Sequence, residues 1–150
     1  MYAVGNAVMT TILLIEDDPY SARLTTRVLQ REGYEVVHAS EGLTGLKIAS
    51  QQKVDLILLD LGLPDIGGHT IAALINRIPG NIPVVAVSAS TDSVTRNRAM
   101  TYGCDGYITK PIDTRAFAEQ IGPFLKAKED GDTPDKQQSK QDTDSATTAV

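Results

Sequence analysis

This 150-residue sequence predicts a doubly wound α/β fold, a mostly parallel five-stranded sheet with helices on both faces. Three observations carry that expectation. Short apolar runs rich in β-branched residues recur about every 20 to 30 residues. Between them lie segments with a single apolar stripe at helical spacing. Strand alternating with helix calls for right-handed crossovers between parallel strands, which place helices on both faces of the sheet.

Each element is justified in turn. "TILLI" (11–15) is the first strand and runs straight into Glu16, Asp17 and Asp18. Asp18 before Pro19 marks a helix start, because an N-cap carboxylate satisfies an orphan N–H and proline suits the first helical position. Leu24, Val28 and Leu29 form that helix's stripe, and Gly33 stands where it should end. "EVVHA" (35–39) is the second strand. "VDLILL" (54–59) and "PVVAVS" (83–88) are the third and fourth, nearly unbroken in hydrophobicity as strands covered on both faces should be. Ile71, Leu74, Ile75 and Ile78 mark the third helix, closed by Pro79 and Gly80, and Asp92 lies at the start of the fourth. "GYIT" (106–109) is the last strand, and Phe117, Ile121, Phe124 and Leu125 stripe the last helix at i, i+4, i+7 and i+8.

The length suits one domain with an ordinary core. Residues 1–9 read as a short N-terminal extension, and from about Ala127 the chain turns acidic and polar, so 127–150 is expected to be a disordered tail. A formal charge of −5 leaves no basic excess for nucleic acid phosphates or anionic lipids. No apolar stretch approaches the roughly 20 residues of a membrane helix. Cys104 is the single cysteine and cannot form an internal disulfide, and the N-terminus lacks the pattern of a secretory signal. A reducing cytoplasm is therefore expected.

Ligands of open parallel sheets bind beyond the carboxyl ends of the strands. At that rim the sequence places Glu16 and Asp17, Asp60, Ser88, and Lys110 before Pro111. Three crowded carboxylates repel one another unless a cation neutralises them. An oxygen-seeking divalent ion is implied, and Mg²⁺ suits few carboxylates, several waters and a phosphate partner.

In that order and at those separations, "IEDDP", "LLDLGLPDIGG", "VSAS" and "GYITKP" resemble the receiver domain of bacterial two-component response regulators. The resemblance covers about residues 10–126. It implies a flavodoxin-like sheet of order 2-1-3-4-5 and a phosphoacceptor signalling protein of the stand-alone type, not an enzyme beyond its own phosphorylation and dephosphorylation. Asp60 would accept a phosphoryl group from a histidine kinase or His-phosphotransfer protein. Glu16, Asp17, Asp60 and the main-chain carbonyl of Gly62 would hold Mg²⁺. Lys110, the Ser88 hydroxyl and the main-chain N–H of Ala89 would receive phosphoryl oxygens. Ser88 moving toward the phosphate, with Tyr107 turning inward behind it, would switch the face formed by the fourth helix and fifth strand toward a downstream target. The resemblance also implies a monomer or weak dimer, with no direct nucleic acid contact and no membrane insertion. Small residues at Gly62 and Ser90, which flank the path of hydrolytic water, imply a short-lived phosphate.

Other readings stand beside this one. Asp60 alone could be a solvated strand-end aspartate, Ser88 a turn hydroxyl and Tyr107 plain core. Asp18 reads as a helix cap, Asp55 and Asp65 as strand-start and loop residues, and His38 and His69 as structural, since neither has metal-like spacing to the other or to Cys104. "CDGYITK" lacks the arginine and glycine-rich cradle of a cysteine phosphatase loop. The chain could also be a phosphorylation-independent interaction module, a fragment of a longer regulator, or a Mg²⁺-dependent phosphatase. Against the phosphatase, position 62 is glycine where a second aspartate would act.

Overall fold

The computed structural model describes residues 9–129. Residues 1–8 and 130–150, which carry most of the expected extension and tail, lie outside the described residues. In chain order the elements are β1 (Thr11–Ile15), α1 (Pro19–Arg31), β2 (Glu35–Ala39), α2 (Gly42–Gln51), β3 (Leu56–Asp60), α3 (Gly68–Ile75), β4 (Val84–Ser88), α4 (Ser93–Thr101), β5 (Gly106–Thr109) and α5 (Phe117–Glu129). The sheet has the expected order β2-β1-β3-β4-β5 with every pairing parallel.

Strand side chains alternate between faces, so the sheet divides the core in two. On one face Leu13, Ile15, Ile57, Leu59 and Val84 pack with Ile71, Ala72 and Ile75 of α3 and with the small residues of α2. On the other, Ile12, Leu14, Leu56, Leu58 and Val85 pack with Val28 and Leu29 of α1 and Phe117, Ile121 and Leu125 of α5. β1 and β3 are buried along their whole length, whereas β2, at the edge, is largely open.

The caps that steer the chain into the site form as expected. The Asp18 carboxylate accepts the Ser21 N–H at 3.1 Å, and Gly33 takes φ +92° just past the end of α1. β4 begins one residue later than expected, at Val84, and two further boundaries differ for a visible reason. β3 begins at Leu56, because Asp55 is occupied in clipping the strand's start to β1: its N–H donates to the Thr11 carbonyl at 2.8 Å and its carboxylate accepts the Thr11 N–H at 2.8 Å. α3 ends at Ile75, not at Pro79. Asn76 caps it, donating from Nδ2 to the carbonyls of Ala72 at 2.9 Å and Tyr102 at 3.0 Å, which ties α3 to the end of α4. Pro79 and Gly80 belong to the turn that follows.

Candidate functional site

The carboxyl ends of β1, β3 and β5 bring the charged groups together. The Glu16 N–H extends the β1–β2 ladder by donating to the Ala39 carbonyl at 3.0 Å. Glu16 is 3% exposed, and Asp60, closing β3, is 9% exposed, while Asp17 is open to solvent. One carboxylate oxygen from each of Glu16, Asp17 and Asp60 lies within 4.8 Å of the other two. Lys110 reaches in from the end of β5, its Nζ 2.7 Å from Glu16 Oε1 and 3.6 Å from Asp60 Oδ2. The remaining oxygens meet backbone donors: Glu16 Oε2 accepts the Asp18 N–H at 3.2 Å, and Asp60 Oδ1 accepts the Gly62 N–H at 3.0 Å.

Burial raises the Glu16 pKa above the ordinary carboxylate value, and the adjacent Asp60 carboxyl pushes the same way against Lys110 and the Asp18 N–H. For Lys110, burial opposes the charged form but is outweighed by the hydrogen bond to Glu16 and the charges of Asp60 and Glu16, so its pKa is raised. One ammonium thus faces three carboxylates, an all-oxygen donor set with surplus negative charge. The residues fit a hard divalent cation such as Mg²⁺.

Next to this cluster lies a cleft of about 280 Å³ that Glu16, Asp60, Ala89 and Lys110 share with Leu24, Thr25 and Phe117. Two of the three carboxylates, Glu16 and Asp60, therefore line the same cleft as Lys110. Ser88 ends β4 half-buried, and its carbonyl accepts the Lys110 N–H at 2.7 Å, fixing the lysine's backbone. Its Oγ accepts the Ser90 N–H at 3.1 Å, which leaves the hydroxyl proton free to donate.

Tyr107 is half-buried against the core, with its hydroxyl donating to the Ser90 carbonyl at 2.8 Å and Arg96 over its ring at 6.0 Å. Ser88, Ser90 and Tyr107 are thus joined through one peptide segment. Reading the sequence gave Ser90 no such part, because its role runs through backbone atoms that any residue possesses. His38 is structural, as expected, but its partner was not foreseen: its Nε2 lies 2.7 Å from the Glu16 carbonyl, bracing the chain where the acidic pair begins. Only the pairing of β1 with β2 brings the two together.

Comparison with known proteins agrees with this geometry. A family model described as response regulator receiver domain matches residues 12–122. The chain is 36% identical over 115 residues to the transcriptional regulatory protein KdpE of Mycobacterium tuberculosis, covering 75% of this chain and 50% of that protein. It is 31% identical over 117 residues to the polar-differentiation response regulator DivK of Brucella anthropi, covering 77% and 95%. The chain thus spans about half the length of several curated relatives it matches, KdpE among them. Among solved structures, a CheY-like receiver domain protein of Methanospirillum hungatei superposes with a TM-score of 0.78 at 27% identity, covering 83% of this chain and 99% of that one. A receiver domain of a Pseudomonas aeruginosa sensor histidine kinase, solved with a magnesium ion in its active-site cleft, gives a TM-score of 0.68 at 26% identity over 77% of this chain and 99% of that one. No helix among the described residues is long and apolar enough to cross a membrane.

Proposed function

The chain belongs to the response regulator receiver domain family, and on that premise we propose that it is a phosphoacceptor switch that takes a phosphoryl group onto Asp60 from a histidine kinase or His-phosphotransfer protein. The observation that carries this reading is the position of Lys110, whose ammonium bridges Glu16 and Asp60 inside a three-carboxylate cluster. A structural ion pair has no need of the two further carboxylates.

Glu16, Asp17 and Asp60, with the Gly62 carbonyl, would hold Mg²⁺, the ion coordinated in the cleft of the Pseudomonas receiver domain. Bound there, the ion supplies positive charge for the phosphoryl oxygens. The chain's own residues do the rest. One Asp60 oxygen is held by the Gly62 N–H, which orients the carboxylate. An oxygen of that carboxylate attacks phosphorus, the O–P bond forms as the P–N bond to the donor imidazole breaks, and the electron pair leaves on the imidazole nitrogen. Lys110 shifts its charge from the carboxylates to the developing phosphate, and Ser88 donates its hydroxyl to a phosphoryl oxygen. Movement of Ser88 would pull on Ser90, and through it on Tyr107, repacking the face of α4 and β5 read by a downstream partner.

Incubating the full chain with acetyl phosphate, with and without Mg²⁺, and weighing the intact protein tests the reading. One added phosphate that requires both Mg²⁺ and Asp60, and is absent from Asp60→Asn, is the expected result. No gain under any condition would point instead to a phosphorylation-independent docking module.

A further inference from the structure

The first turn of α2 has no cap of its own. Glu41 stands at its N-cap position and makes no side-chain capping bond, although the first N–H groups of a helix need acceptors. Those of Gly42 and Leu43 are taken by Asp65, Oδ1 at 3.0 Å and Oδ2 at 3.1 Å. Asp65 does not belong to α2; it lies in the loop that follows the acceptor strand, and both its oxygens are spent on a helix more than twenty residues earlier. The two N–H donors, Gly42 first, lower its pKa and keep it ionised. Reading the sequence assigned Asp65 to loop solvation, because nothing local reveals so distant a partner.

The same loop is pinned on both sides of Asp65. A Cβ on Gly42 would lie 2.8 Å from Ile66 Cγ2, so α2 closes directly onto the residue after Asp65. A Cβ on Gly68 would lie 2.6 Å from the Leu61 Cα and 3.0 Å from the Asp60 carbonyl oxygen. Between these closures runs the segment whose Gly62 N–H orients Asp60.

We propose that Asp65 is a positioning residue for the acceptor loop: by clamping the loop to the N-terminus of α2 it fixes Gly62 against Asp60, and through them the metal and phosphate site. In its link to phosphorylation this rests on the function proposed above; the clamp itself does not.

The test separates positioning from simple helix capping. In the full-length chain, Asp65→Ala removes both roles. Adding Glu41→Asp restores a short capping carboxylate within α2 but leaves the loop untied. Three readouts are taken: thermal midpoint, Mg²⁺ affinity by calorimetry, and hydrogen exchange at the Gly62 amide. Asp65→Ala is expected to weaken Mg²⁺ about 10-fold or more, the usual consequence of losing a partner that orients ligands, and to speed Gly62 exchange. The double variant should recover the thermal midpoint while Mg²⁺ affinity and Gly62 exchange stay impaired. Asp65→Asn, with one acceptor oxygen, should fall between. Recovery of all three readouts by Glu41→Asp would overturn the proposal and leave Asp65 a plain cap. Gly62 exchange involves neither metal nor phosphate, so a chain that takes up no phosphate would sink the phosphoacceptor reading while leaving this test intact.

Discussion

α2 and α4 flank α3 on opposite sides and are held by different means. α2 buries Gly42, Gly45 and Ala49, so close to the sheet that a Cβ on Gly45 would collide with the Ile15 side chain, and Asp65 ties its first turn to the acceptor loop. α4 buries only Ala99 and has no apolar stripe. Its other holds are polar and aromatic: the Asn76 amide on the Tyr102 carbonyl, His69 set edge-on to the Tyr102 ring at 5.5 Å and hydrogen-bonded to the Thr95 carbonyl, and Arg96 over the Tyr107 ring at 6.0 Å. The close-packed side carries the elements that position Asp60 and Glu16, where under the proposed function a small displacement would slow phosphoryl transfer. The lightly buried side is the one that the proposed switch requires to take a second position. One fold therefore holds two helices by different means, α2 by buried small residues and a carboxylate clamp, α4 by one buried alanine and polar contacts.

The strongest way to break this contrast is to crowd the close-packed side. Gly68→Ala forces a methyl against the Leu61 backbone, which cannot swing away as a side chain could. A loss of about 1–3 kcal/mol is expected, the usual cost of overpacking, together with weaker Mg²⁺ binding, measured by urea unfolding and calorimetry. Next comes the link to the proposed switch face. Tyr107→Phe removes the hydrogen bond to the Ser90 carbonyl and should cost about 0.5–1.5 kcal/mol, with faster exchange at the Ser90–Asp92 amides while α2 is unchanged.

On α4 itself Val94 is 64% exposed, so Val94→Ala should stay within about 0.5 kcal/mol by urea unfolding. A larger loss there would show that α4 is anchored more firmly than its single buried alanine indicates. pH sharpens the same comparison. Burial, and then the positive charge of Arg98, lower the His69 pKa from its ordinary 6.5, while the Thr95 carbonyl opposes them. Its Nε2 is buried and has no hydrogen-bond partner. The unfolded chain binds the proton more tightly, so the stabilisation is fully present above 6.5 and is lost as pH falls through the depressed value. Wild type should therefore lose slightly more stability between neutral and mildly acidic pH than His69→Gln, read as the shift in urea midpoint.

The rim was legible because its chemistry is written in residue type. Glu16, Asp17, Asp60 and Lys110 are charged residues at the ends of apolar strands, where packing alone would not put them, and the strand order follows from a resemblance that four motifs carry together. α2 was harder to see. Its buried face is made of Gly42, Gly45 and Ala49, which leave no stripe of large apolar residues for periodicity to detect. Asp65, His38 and Ser90 were illegible for another reason: Asp65 and His38 meet main-chain groups brought near only by tertiary folding, Ser90 offers its own main chain to the Ser88 and Tyr107 hydroxyls, and a backbone N–H or carbonyl has no signature in sequence. The end of α3 was placed too late because Pro79 and Gly80 are strong punctuation, while the Asn76 cap depends on the carbonyl of Tyr102, just past the end of α4.

The most direct measurement is hydrogen exchange on the full chain with Mg²⁺, before and after acetyl phosphate, with the phosphorylated fraction fixed by intact mass. Exchange should change in α4, β5 and the loop around Ser90, while α2 and its capped amides at Gly42 and Leu43 keep their protection. Equal changes in α2 and α4, or none in either despite a phosphate on Asp60, would contradict the division of the site into a fixed wall and a moving one.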